Sequence, residues 1–281
     1  MAFSFVNATQ AGGPNTSAQI QEAPPLQIVF TEVCSFLDLC RKHFANSIIQ
    51  ALGFSSLSGD KKLRLLPSPW PNNSLPPSTS SLLSVAPKKG LVAAASPDRL
   101  VIATMESVRQ TLTGSGVEHD GIKEFTPQLE IRVPRLSHVA FSSNESFLVI
   151  IAEIGGGLAV YNVQSLLQNK TDRPFEIGTN GVSVRGLIPN PNPESEELFS
   201  IILAGGKLLL AELKEQKLIN GPNGQPVLKE GVSCVSWSLR GKQLVAGLAD
   251  GTAFQIKPTG EGVAAIPRPP IVGIDTHGMY L

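Results

Sequence analysis

The sequence is poor in charge, in cysteine and in long apolar runs, and each shortage excludes a class of protein. Only 16% of the residues are charged, and 23 Lys and Arg balance 23 Asp and Glu, so the composition supplies no basic surface for nucleic-acid phosphates. The three cysteines, Cys34, Cys40 and Cys234, have no CxxC spacing, which argues against a disulfide framework or a zinc site. No apolar stretch reaches the length of about 18 residues that suggests a membrane-spanning helix. We therefore expect no direct nucleic-acid contact, no membrane span, and no metal or other cofactor.

Glycine, proline and apolar residues are abundant instead. The 26 glycines and 22 prolines are too many for a helix bundle, whereas a hydrophobic content of 42% is sufficient for a folded core. A turn-rich all-β domain is consistent with both figures.

The composition divides the chain into four parts. Residues 1–27 are small and polar and are predicted to form a flexible leader. Residues 28–50 contain no Gly or Pro and place apolar side chains at three- and four-residue steps, which predicts one amphipathic helix or, alternatively, an unspliced insert. Residues 51–270 contain repeated strand patterns, and residues 271–281 form a tail that lacks them.

Strand and turn patterns recur roughly every 50 residues, as expected of a structural repeat. The clearest copy begins with SHVAFS, turns at Asn144, continues in FLVIIAE, turns at the glycines 155–157 and ends in LAVYNV. One more strand candidate follows each copy, for example at 128–133 and 225–230. Four antiparallel strands per repeat are typical of a β-propeller blade, so we predict about four blades, with a β-sandwich as the competing architecture. The residues expected on inner or central strands are Val85, Ala140, Leu187 and Val235.

No pattern of residues typical of catalysis is found. None of the four histidines has a His or Cys at metal-ligand spacing, and His119 lies in a polar loop of a sequence that lacks the GxSxG elbow of a serine hydrolase. The glycines at 155–157 lead into a strand, whereas a phosphate-binding loop opens a helix. His138 begins a strand, which indicates a structural role. We predict a protein that is not an enzyme; the alternative is an enzyme carried on a propeller.

Two segments carry a more specific signal. DKKLRLLPSPWP at 60–71 and SLLSVAPKKGLVAAASPDRLVIATMESVRQ at 81–110 resemble, in this order, the start of the N-terminal β-propeller of the fungal FG-repeat nucleoporins at the cytoplasmic face of the nuclear pore complex. The resemblance covers roughly residues 51–270.

This resemblance implies a location at the nuclear pore and a docking role in mRNA export and nucleocytoplasmic transport. The family's propeller has seven blades and no activity of its own, and its partners are the DEAD-box RNA helicase of mRNA export and other nucleoporins. Because the sequence supplies about four blades, we expect a partial ring whose first and last blades each expose an apolar face. A generic WD-type adaptor in another assembly is the alternative function.

The best candidate for a partner-binding site is an acidic loop in the third repeat. It contains Glu194, Glu196 and Glu197, between the strand candidates VSVRGLIP and LFSIILA. The helicase implied by the resemblance is a basic RNA-binding enzyme, so these carboxylates would complement its charge. An ordinary solvated loop is the alternative interpretation.

Overall fold

The computed structural model describes residues 62–66, 70–71, 73–114, 118–119, 122–170, 172–194 and 197–267. The leader at 1–27, the helix at 28–50 and the tail at 271–281 lie outside these residues, so all three stay predictions.

Four antiparallel sheets of four strands each follow one another along the described part of the chain. Blade I consists of β2 (Leu83–Ala86), β3 (Leu91–Ala95), β4 (Arg99–Thr104) and β7 (Leu129–Arg132). Blade II consists of β8 (Leu136–Phe141), β9 (Phe147–Ala152), β10 (Leu158–Asn162) and β11 (Phe175–Ile177). Blade III consists of β12 (Val184–Pro189), β13 (Leu198–Leu203), β14 (Leu208–Glu212) and β15 (Lys217–Leu218). Blade IV consists of β16 (Val232–Trp237), β17 (Leu244–Leu248), β18 (Ala253–Ile256) and β19 (Ala264–Ile266).

The first strand of each blade lies next to the first strand of the following blade. Strand β8 contacts both β2 and β12, and β12 contacts β16. Blades I and II are also joined through the backbone, because Ser81 pairs in parallel with His138 and the amide of Val139 donates to the carbonyl of Ser81 at 2.7 Å. The residues predicted on inner strands, Val85, Ala140, Leu187 and Val235, all lie on these first strands. The prediction of an all-β propeller is confirmed.

Apolar side chains fill the space between neighbouring blades. In β9, Leu148 and Ile150 pack against blade I, whereas Val149 and Ile151 pack towards blade III. A strand that is buried on both faces needs apolar residues at consecutive positions, which explains why FLVIIA shows no alternation. Full burial of one such side chain stabilises the fold by about 1.5–3 kcal/mol.

A small additional sheet covers the face of blade I that points away from blade II. It consists of β1 (Lys62–Arg64), β5 (Glu118–His119) and β6 (Ile122–Glu124), and β1 pairs in parallel with β6. The neighbouring helix α1 (Met105–Thr113) lies in the connection between β4 and β7. The side chains buried together here are Leu65, Leu66, Val92, Ala94, Val101, Ala103, Val108, Leu112 and Phe125. The expectation that this face of the first blade would be exposed is therefore wrong.

Two details of the sequence-based assignment are also wrong. The fourth strand of blade III is β15, and the segment 225–230 contributes only an isolated bridge between Lys229 and Leu208. Pro226 within that segment has no amide hydrogen to donate to a strand ladder. His119 lies in the two-residue strand β5 instead of a loop.

Candidate functional site

The acidic loop lies at the edge of the blades where each first strand connects to the second. We call this the AB edge; its turns comprise residues 87–90, 142–146, 190–194 with Glu197, and 238–243. The connections between third and fourth strands return to the same edge, because the strands of each blade alternate in direction.

A buried glutamate joins blades I and II at the AB edge. The side chain of Glu145 is 5% exposed, and its carboxylate accepts hydrogen bonds from the backbone amides of Lys88, at 3.1 Å, and Lys89, at 2.6 Å. Glu145 itself has a φ of 60°. The Glu145 side chain reaches the turn of the neighbouring blade, and the side chains of Lys88 and Lys89 remain exposed.

Two further contacts continue this connection to blades III and IV. Asn144 donates from Nδ2 to Oε1 of Glu197, and Ser143 donates from Oγ to the carbonyl of Asn190. Asn190, which is 2% exposed, donates in turn from Nδ2 to the carbonyl of Gly241 at 2.9 Å. Gly241 has a φ of 64°, and a Cβ built there would lie 1.9 Å from Asn190 Oδ1, so glycine is required. The AB turns therefore form one hydrogen-bonded row across all four described blades.

The three candidate partner-binding residues do not share one environment. Glu194 is exposed, and the side chain of Asn192 accepts a hydrogen bond from its amide at 3.0 Å. Glu196 lies outside the described residues. Glu197 is half-buried, and this burial raises the pKa of its carboxyl, while the hydrogen bond from Asn144 and the charge of Lys214 oppose the shift. Glu197 is thus part of the contact between blades II and III, and Glu194 faces solvent.

Basic turns flank the acidic loop on both sides. Lys88 and Lys89 are exposed on blade I, and Arg240 and Lys242 are exposed on blade IV. Leu239, also on blade IV, is 86% exposed. The AB edge therefore presents the Glu194 carboxylate between the cationic turns of blades I and IV. The sequence of the acidic loop alone does not indicate this arrangement.

A second row of contacts joins the starts of the first strands. Strands β8, β12 and β16 each contain a one-residue register shift near their start, at Ser137, Arg185 and Ser233. The guanidinium of Arg185 donates to the carbonyls of Val232 and Ser233 on the next blade, each at 2.9 Å. Arg185 and Ser233 are 48 residues apart, which is the repeat length of the fold.

His138 occupies the same row between blades I and III. Its imidazole hydrogen-bonds the backbone of Arg185 and of Thr79, and its Nδ1 lies 3.0 Å from Ser137 Oγ. Burial lowers the pKa of His138 below its ordinary value of 6.5, because desolvation outweighs these hydrogen bonds. The buried histidine therefore connects neighbouring blades, and its charged form is disfavoured there.

An arginine–tryptophan contact explains part of the RLLPSPWP motif. The guanidinium of Arg135 lies 5.0 Å from the ring centre of Trp70 and donates to the carbonyls of Ser74, at 3.1 Å, and Leu75, at 2.9 Å. Glu153 pairs with the same guanidinium at 2.5 Å. Trp70 is 7% exposed, so this residue of the motif attaches the chain before β2 to blade II.

The glycine cluster forms a turn, and the described residues contain no metal-binding cluster. The glycines at 155–157 all have positive φ and form the hairpin turn between β9 and β10. Within the described ranges, no group of three His, Cys, Asp or Glu side chains is close enough to hold a metal ion. Among the same residues, no helix is both long and apolar enough to cross a membrane.

Comparisons with known proteins agree with this architecture. The family model described as the NUP159/214 beta propeller matches residues 76–278. Nucleoporin NUP159 of Chaetomium thermophilum is 43% identical over 99% of this chain and 17% of its own length. Nucleoporin nup146 of Schizosaccharomyces pombe is 31% identical over 69% of the chain and 14% of its own length. Human nuclear pore complex protein Nup214 is 27% identical over 76% of the chain and 10% of its own length.

Solved structures are similar at lower identity. The N-terminal domain of Nup159 matches with a TM-score of 0.47 and 16% identity, over 68% of this chain and 44% of that one. A complex of S. cerevisiae dbp5 with nup159 and gle1 matches with a TM-score of 0.48 and 16% identity, over 74% of this chain and 53% of that one.

Radially packed four-stranded blades define the protein as a β-propeller. The chain belongs to the NUP159/214 β-propeller family, because the family model matches most of its length and a curated nucleoporin is 43% identical to nearly all of it. It spans at most 17% of the length of the curated relatives reported above.

Proposed function

We propose that this chain is a non-catalytic docking platform at the cytoplasmic face of the nuclear pore complex, acting in mRNA export and nucleocytoplasmic transport. The observation that supports this most strongly is the 43% identity to NUP159 of Chaetomium thermophilum over 99% of the chain. The proposed partners are the DEAD-box RNA helicase of mRNA export and other nucleoporins, as the family resemblance implies.

The AB edge is the proposed docking surface for the helicase. Glu194 is exposed there, and its carboxylate complements the charge of a basic RNA-binding enzyme. Glu196, two residues further along, is proposed to add a second charge, and Glu197 to hold the loop against Asn144. Attraction of this kind increases the association rate and favours the correct partner more than it adds raw affinity.

The hydrogen bonds between the AB turns support a docking role, because they reduce the entropy that is lost on binding. A loop that is ordered before binding loses less conformational entropy on binding than a free loop does. The described ends of the acidic loop are held by neighbouring blades, at Glu197 by Asn144 and at Asn190 by its hydrogen bond to Gly241. These two ends are therefore preorganised for a partner.

We propose that any ATP turnover at this site belongs to the helicase. A docking protein needs no nucleophile or general base, and the sequence shows no motif for either. The purified 281-residue chain is therefore expected to hydrolyse no ATP above background. Its measurable activity should be binding of the helicase. ATP turnover that persists through stringent purification and follows the chain would contradict this assignment.

Binding of the same organism's DEAD-box helicase to the chain, measured by calorimetry, tests the proposed function. We expect saturable binding that weakens with added salt, because exposed charges are screened. Glu194→Lys should weaken binding mainly by slowing association, whereas Glu230→Lys, an exposed change before β16 at the opposite edge, should leave binding unchanged. Absence of helicase binding, together with capture of a different defined assembly, would favour the generic adaptor instead.

A further inference from the structure

A groove of about 340 Å³ lies at the AB edge between blades II and III, outside the row of AB turns. One side is formed by helix α2 (Val163–Leu167) and the chain that follows it in blade II. The other side is formed by the turn after β14 in blade III. The groove is built by connections between third and fourth strands, so it is distinct from the loop that carries Glu194.

The floor of the groove is apolar and fixed by packing. The rings of Phe147 and Phe175 meet edge to face, with centroids 5.9 Å apart and an interplanar angle of 84°. Leu213 is fully buried and Tyr161 is 8% exposed, so the floor has little freedom to rearrange. Both phenylalanines are only half-buried, and their exposed surface is what the groove presents to a ligand.

The rim of the groove is basic. Lys170, Arg173 and Lys214 are exposed there, and none of them forms an ion pair or a side-chain hydrogen bond with any residue that the structure describes. Asp172 is the acid among the lining residues, and Lys214 additionally acts through space on the carboxylate of Glu197. The rim therefore carries a net positive charge over an apolar floor.

We propose that this groove binds a short segment of a partner protein in which an aromatic or aliphatic side chain is flanked by acidic residues. The volume is at the lower end of the range of about 300–1,000 Å³ for ligand pockets, which suits one or two anchoring side chains. A buried apolar anchor surrounded by polar contacts is the usual organisation of a binding hot spot. The three rim cations supply the complementary charges.

Single-stranded RNA fits the groove less well. Bases bind by stacking on the open faces of aromatic rings. Here, the edge of one ring of the Phe147–Phe175 pair packs against the face of the other, and Tyr161 is nearly buried. These rings therefore offer little open face for a base to stack on. The groove is basic whereas the loop at Glu194 is acidic, so the two sites require partner surfaces of opposite charge. The groove ligand is therefore distinct from the helicase surface proposed to contact Glu194.

The test begins with a displayed library of short random peptides selected on the whole 281-residue chain. We expect enrichment of peptides with Asp or Glu beside a large apolar residue. Enriched peptides are then synthesised with a fluorophore, and their dissociation constants are measured by anisotropy at low and high salt. Binding should weaken as salt increases. Absence of acidic enrichment, or binding that does not respond to salt, would overturn the proposal.

Variants of the chain locate the binding. The charge-reversal variant K170E/R173E/K214E should weaken peptide binding by about tenfold or more. Ser165→Trp should abolish it by filling the groove from α2. The matched control K88E/R240E/K242E reverses three exposed cations elsewhere on the AB edge and should bind normally. Equal binding by all variants would refute the assigned site, and tighter binding of a polyuridine oligonucleotide that the same variants abolish would replace the peptide with RNA.

Discussion

The connection that Glu145 makes between blades I and II can be tested quantitatively. Its carboxylate accepts two backbone hydrogen bonds, from Lys88 and Lys89, and its side chain is 5% exposed. A hydrogen bond to a charged group contributes about 1.5–3 kcal/mol, and values near the lower limit apply because these amides are partly exposed. We therefore expect Glu145→Ala to lower the free energy of unfolding by about 3 kcal/mol, out of a typical total of about 5–15 kcal/mol.

The positive φ of Glu145 supplies an internal control. Glu and Ala both bear the cost of about 1–2 kcal/mol for the left-handed conformation, so Glu145→Ala isolates the loss of the side chain. Glycine removes that cost but gains freedom in the unfolded chain, so Glu145→Gly should be more stable than Glu145→Ala by about 1 kcal/mol. Glu194→Ala changes an exposed residue on the same edge and should stay within about 0.5 kcal/mol of the wild type.

Two measurements check this prediction. Thermal unfolding of Glu145→Ala should occur about 6–12 °C below that of the wild type, given about 2–4 °C for each kcal/mol in a chain of this size. Hydrogen exchange at the amides of Lys88 and Lys89 should accelerate about 100-fold, because each 1.4 kcal/mol is a tenfold change, while exchange in β17 of blade IV stays the same. A loss below about 1 kcal/mol, or acceleration spread equally over all blades, would show that Glu145 does not join these two blades.

Three further outcomes follow from the same contacts. His138 has a lowered pKa in the folded protein, so the unfolded chain takes up its proton first and stability should fall as the pH decreases below about 6.5; His138→Gln should flatten this dependence in urea titrations. Glu197 has a raised pKa, so its charged form is disfavoured by folding at neutral pH, and Glu197→Gln should increase the melting temperature at pH 7.5 but not at pH 4. Gly241→Ala should lower the free energy of unfolding by about 2 kcal/mol or more, through the positive φ and the overlap with Asn190, as calorimetry can measure.

The blades could be predicted from the sequence because their signals are local. A strand that is buried on both faces is a short run of apolar residues, and a hairpin turn is a cluster of Gly, Asn or Ser, as at 155–157. The sequence of helix α1 also contains a local signal. Thr104 caps its N-terminus, Val108 and Leu112 are spaced for one buried face, and Gly114 follows its last turn.

The connections between blades could not be predicted, because their partners are distant in sequence. Glu145 lies in an ordinary turn sequence, and nothing there indicates that it accepts the amides of Lys88 and Lys89, 56 or 57 residues earlier. For the same reason, Glu197 could not be distinguished from Glu194 by sequence. Both are glutamates of one acidic loop, and only the position of Asn144 on the neighbouring blade separates a half-buried contact from an exposed charge.

The two rows of contacts explain how one edge of the molecule can vary in charge without loss of the fold. Burial between blades is non-directional and permits one blade to slide against the next, whereas a hydrogen bond from Asn190 to Gly241 or from Arg185 to Ser233 fixes their register. Once these groups fix the register, the exposed side chains on the same turns contribute little to the stability of the fold. Glu194 and Arg240 can therefore contribute to the proposed docking surface without loss of stability, as binding residues on loops of a rigid scaffold do.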